Sequence, residues 1–102
     1  MLLSKERKGQ IMNKEMIKLR RALDEKGIGW KDDSEFKYGM VFERTKFFNK
    51  DGEHCSVVFI DGFSYGSQAG LLEVMPPLQR DPDYEDDVQG WLTADEIIEA
   101  WL

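Results

Sequence analysis

Residues 39–60 read GMVFERTKFFNKDGEHCSVVFI, and this stretch decides the fold class. Two segments within it, about residues 39–48 and 53–60, are rich in the β-branched and aromatic side chains that favour strands. Between them, residues 49–52 (NKDG) are typical of a hairpin turn, and Gly52 can supply a positive φ. The stretch therefore predicts an antiparallel hairpin in the middle of the chain.

A helix is predicted before this hairpin, at about residues 13–26. Its apolar side chains recur at helical spacing and define one stripe: Met16, Leu19 and Leu23. Asn13 is a favourable N-cap, and Gly27 suits the left-handed residue that ends many helices. Most of its basic residues are predicted to lie off the apolar stripe, on the solvent face of the helix: Lys14, Lys18, Arg20 and Arg21.

A second helix is predicted after the hairpin, beginning at Thr93. Thr93 and Glu96 have the spacing of a capping box, in which each side chain accepts from the backbone amide of the other residue. Ile97, Ile98 and Trp101 then provide the apolar face. This helix closes the predicted fold at its C-terminal end.

The remaining pattern adds one strand and one polar connection. A third strand is predicted at about residues 70–75, ending before two prolines that cannot donate ladder hydrogen bonds. Residues 29–38 are predicted to be a polar connection anchored by Trp30 and Phe36. The order is α-β-β-β-α, which favours an α+β fold: a three-stranded antiparallel meander with two helices packed on one face.

Length and composition favour a single domain. The chain has 102 residues, of which we expect 1–11 to be a flexible leader and 12–102 to be the domain. It contains no apolar run near the ~20 residues that would span a membrane. A single cysteine, Cys55, excludes an internal disulfide and agrees with a cytoplasmic location.

The charge is unevenly distributed along the chain. Residues 1–50 carry a net charge of +5, whereas residues 51–102 carry −11 with only one Lys or Arg. Direct binding to nucleic acid through the basic first helix is disfavoured by the overall charge of −6 and by the lack of a reading motif. The acidic half favours a basic protein partner instead.

The sequence gives little support for a catalytic or cofactor-binding site. His54 is the only histidine, and as neighbours in a strand His54 and Cys55 would point to opposite faces. The acidic cluster at residues 81–87 resembles the start of a calcium loop. It lacks the Gly and the Glu that an EF-hand requires at its sixth and twelfth positions, here Asp86 and Leu92. We therefore predict a protein that is not an enzyme and that uses no cofactor or metal.

Two loops remain as candidate sites. The acidic segment with its neighbouring aromatics is the first candidate, for binding a protein or imitating a phosphate backbone: Asp81, Asp83, Tyr84, Glu85, Asp86, Asp87 and Trp91. The Gly-rich loop at residues 61–70 is the alternative, for a nucleotide-like ligand stacked on rings and held by polar groups: Phe63, Ser64, Tyr65, Ser67 and Gln68. A homodimer is a further expectation, because exposed strand edges pair readily.

Four stretches carry a resemblance to small uncharacterised proteins encoded by phages and prophages of Gram-positive bacteria. They are MNKEMIKLRRALDEKGI at residues 12–28, SYG at 64–66, GLLE at 70–73 and GWLTADE at 90–96. The resemblance covers most of residues 12–102 and implies no catalytic residues. It implies a protein of the host cytoplasm that binds and inhibits or modulates a host protein, including components of antiviral defence.

Overall fold

The first helix begins and ends as its capping signals predict. In the computed structural model, which describes residues 12–78 and 87–102, α1 spans Lys14–Glu25. The Asn13 side chain accepts from the Met16 amide at 3.0 Å. At the other end Gly27 has φ +71°, and the Ile28 amide donates to the Leu23 carbonyl at 2.9 Å. This bond closes the Schellman motif that Gly27 indicates.

The second helix, α2, spans Ala94–Trp101 and has the predicted capping box. The Glu96 amide donates to Thr93 Oγ1 at 3.2 Å, and the Thr93 amide donates to Glu96 Oε1 at 2.9 Å. A second carboxylate contributes from α1, because the Ala94 amide donates to Glu15 Oε1 at 2.7 Å. The start of α2 is thereby tied to the first turn of α1.

The central hairpin is formed by β3, Met40–Phe48, and β4, His54–Ile60. Asn49 organises the turn, since its Oδ1 accepts from the amides of Asp51 and Glu53, each at 2.9 Å. Gly52 follows with φ +80°, as the turn signal predicts. The third predicted strand is β5, Leu72–Met75, and it pairs antiparallel with β4.

The sheet is larger than the predicted three-stranded meander. The described part of the chain has three further strand segments: β1 (Trp30–Asp32), β2 (Glu35–Lys37) and β6 (Gln89–Leu92). All six segments form one antiparallel sheet in the order β1-β3-β4-β5-β6, with β2 also paired to β3. The α+β class is confirmed, whereas the strand count was wrong.

Residues 29–38, predicted to be a polar connection, form an edge of the sheet. The register is continuous across the break, since Asp32 pairs with Thr45 and Glu35 pairs with Phe42. β1 and β2 are therefore two halves of one edge. Tyr38 and Gly39 join β2 to β3 with φ of 54° and 77°, and two positive φ values define a type I′ hairpin turn.

The core lies between one face of the sheet and the helices. It contains the predicted α1 stripe and residues of α2, which meet buried side chains of the strands: Met16, Leu19, Leu23, Ala94, Ile97 and Trp101 from the helices, and Phe47, Cys55, Val57, Leu72, Val74 and Leu92 from the strands. The Phe47 and Trp101 rings meet edge to face with centroids 5.9 Å apart. We call the opposite side of the sheet the outer face.

Arg20 corrects the prediction that it lies on the solvent face of α1. It is only 8% exposed, and its Nε donates to Thr45 Oγ1 at 2.7 Å. Its Nη2 donates to Asp32 Oδ1 at 3.1 Å, and its guanidinium lies 4.8 Å from the centre of the Trp30 ring. Helical spacing missed this role because a long basic side chain usually extends into solvent, and no local pattern reveals a buried acceptor.

Residues 1–11, the predicted flexible leader, lie outside the described residues. Neither α1 nor α2 is long and apolar enough to cross a lipid bilayer, and the same holds throughout residues 12–78 and 87–102.

Candidate functional site

Two serine hydroxyl groups of the loop at residues 61–70 hold it in shape by hydrogen bonds to nearby backbone amides. Ser64 Oγ accepts from the Ile60 amide at 2.9 Å, and Ser67 Oγ accepts from the Gly62 amide at 3.1 Å. Both serines are nearly buried, with 6% and 5% of their surface exposed. Residues Ser67–Ala69 add a 3-10 turn. These two predicted ligand-binding residues therefore use their hydroxyls to shape the loop.

The same loop directs its other candidate residues outward. Phe63 is 69% exposed, Tyr65 is 55% exposed, and Gln68 is also exposed. The Tyr65 backbone is held in place because its amide donates to Glu73 Oε1 on β5 at 2.8 Å. A folded loop thus presents an aromatic side chain from a fixed backbone position.

Tyr65 lies against β6 because two glycines allow a close backbone approach. A Cβ built on Gly90 would lie 2.1 Å from Tyr65 Cβ, and one built on Gly66 would lie 2.6 Å from the Trp91 amide nitrogen. Side chains at either position would force the loop and the strand apart. The Trp91 amide donates to the Tyr65 carbonyl at 3.2 Å across this contact.

Trp91 occupies an unusual backbone position. Leu72 pairs with Leu92 and Val74 pairs with Gln89, so two steps along β5 match three steps along β6. The extra residue makes a β-bulge, a feature that redirects side chains at strand edges. Trp91 has φ +60° within the bulge and is 55% exposed. The left-handed conformation costs an ordinary L-residue about 1–2 kcal/mol.

The structure brings together one residue from each of the two predicted sites. Tyr65 comes from the Gly-rich loop, and Trp91 comes from the set assigned to the acidic segment. We call the pair the Tyr65–Trp91 surface. Asp87 is exposed four residues before Trp91. The other predicted acidic-segment residues lie outside the described residues: Asp81, Asp83, Tyr84, Glu85 and Asp86.

The carboxylates with shifted pKa values lie at the opposite edge of the sheet. A hydrogen bond from Lys46 holds the pKa of Asp33 below its usual value, and a hydrogen bond from Arg44 does the same for the pKa of Glu35. Burial opposes ionisation of Asp32, but hydrogen bonds from Ser34 and the charge of Arg20 outweigh it and lower its pKa. These shifts reflect ion pairs that stabilise an edge strand.

One lysine has a shifted pKa on the exposed side of α1. A hydrogen bond to Asp95 at 2.9 Å raises the pKa of Lys18, and the charge of Asp95 adds to the effect. The pair links α1 to the first turn of α2. It is therefore a connection between the helices and is separate from the Tyr65–Trp91 surface.

The described part of the chain does not bring His54 and Cys55 together as a nucleophilic site. His54 is exposed beside the Phe48 ring, whereas Cys55 is buried in the core, as strand alternation predicts. Within residues 12–78 and 87–102, no three His, Cys, Asp or Glu side chains are grouped to hold a metal ion.

The sequence indicated Tyr65 and Trp91 as separate candidates and missed the residues that join them. Glu73 lies between two apolar residues of the predicted third strand, and nothing in that pattern indicates its bond to the Tyr65 amide. The roles of Gly66 and Gly90 depend on a close approach between the loop and β6, which are distant in the sequence. A Gly-Trp pair immediately before a capped helix was the one available signal, since a glycine within a strand indicates a bulge or a close approach.

Comparison of the chain with protein-family models gave no match. Comparisons with curated proteins and with solved structures gave none either. The site's chemistry and geometry are therefore the basis for the functional proposal.

Proposed function

We propose that this chain is a small, non-enzymatic, acidic binding protein that attaches to another protein through the Tyr65–Trp91 surface. The observation that supports this most strongly is Trp91, a half-exposed tryptophan in a left-handed bulge position. Gly or Asn would occupy that position at lower conformational cost. A large aromatic side chain at this position contributes most free energy when a partner buries it. Trp and Tyr are among the residues that dominate the binding energy of protein interfaces.

Charge favours a basic partner for this surface. Residues 51–102, which include both Tyr65 and Trp91, carry −11 with one Lys or Arg. An acidic surface attracts a basic one during diffusional encounter and repels acidic competitors. The acidic residues 81–87, which precede Trp91 in the sequence, are proposed to extend the contact.

The phage and prophage resemblance suggests the class of partner. We propose a host protein, including a component of antiviral defence, which the chain would inhibit or modulate in the host cytoplasm. A protein whose nucleic-acid channel is basic would suit the acidic segment, since closely spaced carboxylates can imitate a phosphate backbone.

An affinity experiment with matched variants tests the proposal. Tagged wild-type protein, Trp91→Asn and Phe36→Ser would be used to capture proteins from lysate of a Gram-positive host. We expect a stoichiometric partner with the wild type and with Phe36→Ser, but not with Trp91→Asn. Phe36 is a suitable control because it is 61% exposed on β2, at the other edge of the sheet. Recovery of no stoichiometric partner, or equal recovery by all three proteins, would contradict the proposal.

A second candidate function is capture of a nucleotide-like ligand by the loop at residues 61–70. The exposed rings of Phe63 and Tyr65 favour stacking, while the internal bonds of Ser64 and Ser67 leave Gln68 as the polar contact. A thermal-shift screen with nucleotides separates the two candidates, since a ligand at 100 times its Kd adds about 2.7 kcal/mol of stability. A flat response would remove this candidate and leave the first intact.

A further inference from the structure

The outer face of the sheet carries apolar side chains although both described helices pack on the other face. Alternation along β4 buries Cys55 and Val57 against the helices and directs Val58 and Ile60 to the outer face. Met75 on β5 is 50% exposed there by the same alternation. No element within residues 12–78 and 87–102 forms a second layer over this face.

β4 is the middle strand of the sheet, and its sequence is typical of a strand covered on both sides. Residues 57–60 read VVFI, so apolar residues point to both faces. An antiparallel sheet with one solvated face usually alternates apolar and polar residues. A shallow cavity of about 240 Å³ lies on the outer face, with Val58, Ile60, Met75 and Val88 among its lining residues.

On the outer face, charged residues lie on both sides of the apolar residues of β4, and their order suits a two-fold axis. Arg44 pairs with Val58, and Val58 pairs with Glu73, so one row across three strands reads cation, apolar, anion. A second copy rotated about an axis parallel to β4 and above Val58 would bring Val58 against Val58. The same rotation would place each Arg44 over the other copy's Glu73. Such reciprocity is the requirement for an isologous interface.

We propose that the outer face binds a second copy of this chain, forming a two-fold dimer with the sheets packed face to face. The 30 strand residues of the sheet, with a rise of about 3.3 Å each and strands about 4.8 Å apart, give roughly 475 Å² per copy. The total of roughly 950 Å² lies just below the ~1,000 Å² expected of a stable specific interface, which indicates a weak dimer. This inference does not rest on the proposed partner surface, and it differs from pairing through strand edges.

Sedimentation equilibrium on the whole chain tests the proposal. We expect the mass to rise from the monomer value of 11.9 kDa towards twice that value between micromolar and submillimolar concentration. Arg44→Glu and Glu73→Arg, each alone, should weaken dimerisation at least about tenfold, because each puts like charges together across the axis. The double variant should restore it, because opposite charges face each other again.

Restored dimerisation in the double variant distinguishes the loss of an intermolecular ion pair from damage to the fold. Arg44 also pairs with Asp33 and Glu35 in its own chain, and Glu73 holds the Tyr65 amide. The double variant repairs neither of these internal contacts, so restored dimerisation reports the intermolecular pair. Arg21→Glu, an equal charge change on the exposed side of α1, should leave the dimer constant unchanged.

Val58→Lys provides a second test, since it would set two lysines against each other at the axis. We expect a monomer, whereas Phe36→Lys on β2 should dimerise like the wild type. Circular dichroism would check the fold of each variant, and the charge-reversal series is sufficient if Val58→Lys does not fold. A wild type that is monomeric throughout, a dimer that tolerates folded Val58→Lys, or a double variant without rescue would each overturn the proposal.

Discussion

At one edge of the sheet, β1 and β2 are charged and connected to α1 through Arg20. At the other edge, β6 is interrupted by a bulge and presents Trp91 to solvent. Both arrangements discourage indiscriminate pairing with other strands, since charge and bulges are the usual protections of an exposed edge. They differ in their energetic effect: the first edge gains stability from Arg20, whereas the second loses some to the backbone conformation of Trp91. This contrast is the reason for placing the proposed partner-binding surface at the β6 edge rather than at the β1–β2 edge.

Replacing Arg20 by Ala should have the largest effect, because it breaks the connection between α1 and the β1–β2 edge. The loss removes hydrogen bonds to Thr45 and Asp32 from a buried guanidinium. The Asp32 pair is half-exposed and accounts for about 1 kcal/mol, whereas the hydrogen bond from a charged group to the buried Thr45 is worth about 1.5–3 kcal/mol, so we expect a total loss of about 3 kcal/mol. Urea denaturation would measure the change. Arg21→Ala, the exposed neighbour, should change stability by less than about 0.5 kcal/mol. Equal effects of the two substitutions would contradict the role given to Arg20.

Gly90→Ala should disturb the β6 edge by pushing it away from the loop at residues 61–70. The new Cβ would overlap Tyr65, so we expect a loss of about 2 kcal/mol, within the range for overpacked sites. Gly29→Ala is a matched control, because a Cβ at that position meets nothing within 4 Å. Thermal unfolding of both variants would test whether the close backbone contact exists. A Gly90→Ala protein as stable as the Gly29→Ala protein would show that it does not.

Asp32→Asn should reveal a pH-dependent contribution at the β1–β2 edge. Because the folded pKa of Asp32 lies below its unfolded value of about 3.9, its carboxylate stabilises the fold above that pH. The contribution should disappear as the pH falls through the lower folded pKa. At pH 7 we expect the wild type to exceed the variant by about 1 kcal/mol, since a half-exposed ion pair is screened by solvent.

Chemical denaturation at neutral pH and at about pH 3 would measure this difference, which should shrink in acid. Asp61→Asn, on the exposed loop, should change stability by less than about 0.5 kcal/mol under either condition. A difference between Asp32→Asn and wild type that stays constant with pH would contradict the electrostatic account of this edge.

The smallest expected effect concerns the backbone conformation of Trp91 itself. Asn tolerates the left-handed region better than other L-residues, so Trp91→Asn should be more stable than Trp91→Ala by about 0.5 kcal/mol. Both substitutions remove the exposed indole, and the difference between them therefore isolates the conformational cost. High-precision calorimetry would resolve it. If the Ala variant were the more stable one, the bulge would not require a left-handed residue.

The two edges also show why the sequence predicted one part of the fold better than another. The hairpin β3–β4 and both helices were predicted because their signals are local: a turn glycine, a capping box and regular apolar spacing. Residues 30–37 have few apolar side chains and charges of both signs, so their local pattern predicts a connection. They form strands because β3 pairs with them. β6 has only four residues, including a glycine and a bulged tryptophan, and it becomes a strand through its contact with β5.

The candidate site divides in the same way. Tyr65 and Trp91 were predicted as candidate binding residues because each is an aromatic residue in or near one of the two distinctive loops, which composition can indicate. Their proximity follows from a loop closed by Ser64 and Ser67 and from two glycines 24 positions apart, Gly66 and Gly90. No sequence spacing encodes that contact, because it depends on how β5 positions both the loop and β6.

The sequence by itself determined the α+β class, the two helix caps at Asn13 and Thr93, the central hairpin and the acidic character of the second half. Each of these depends on interactions within a few residues or on composition. Only the tertiary structure decided that Arg20 is buried, that residues 30–37 form an edge and that Tyr65 meets Trp91. Those outcomes depend on contacts between segments distant in the chain, where burial and backbone packing outweigh local preference.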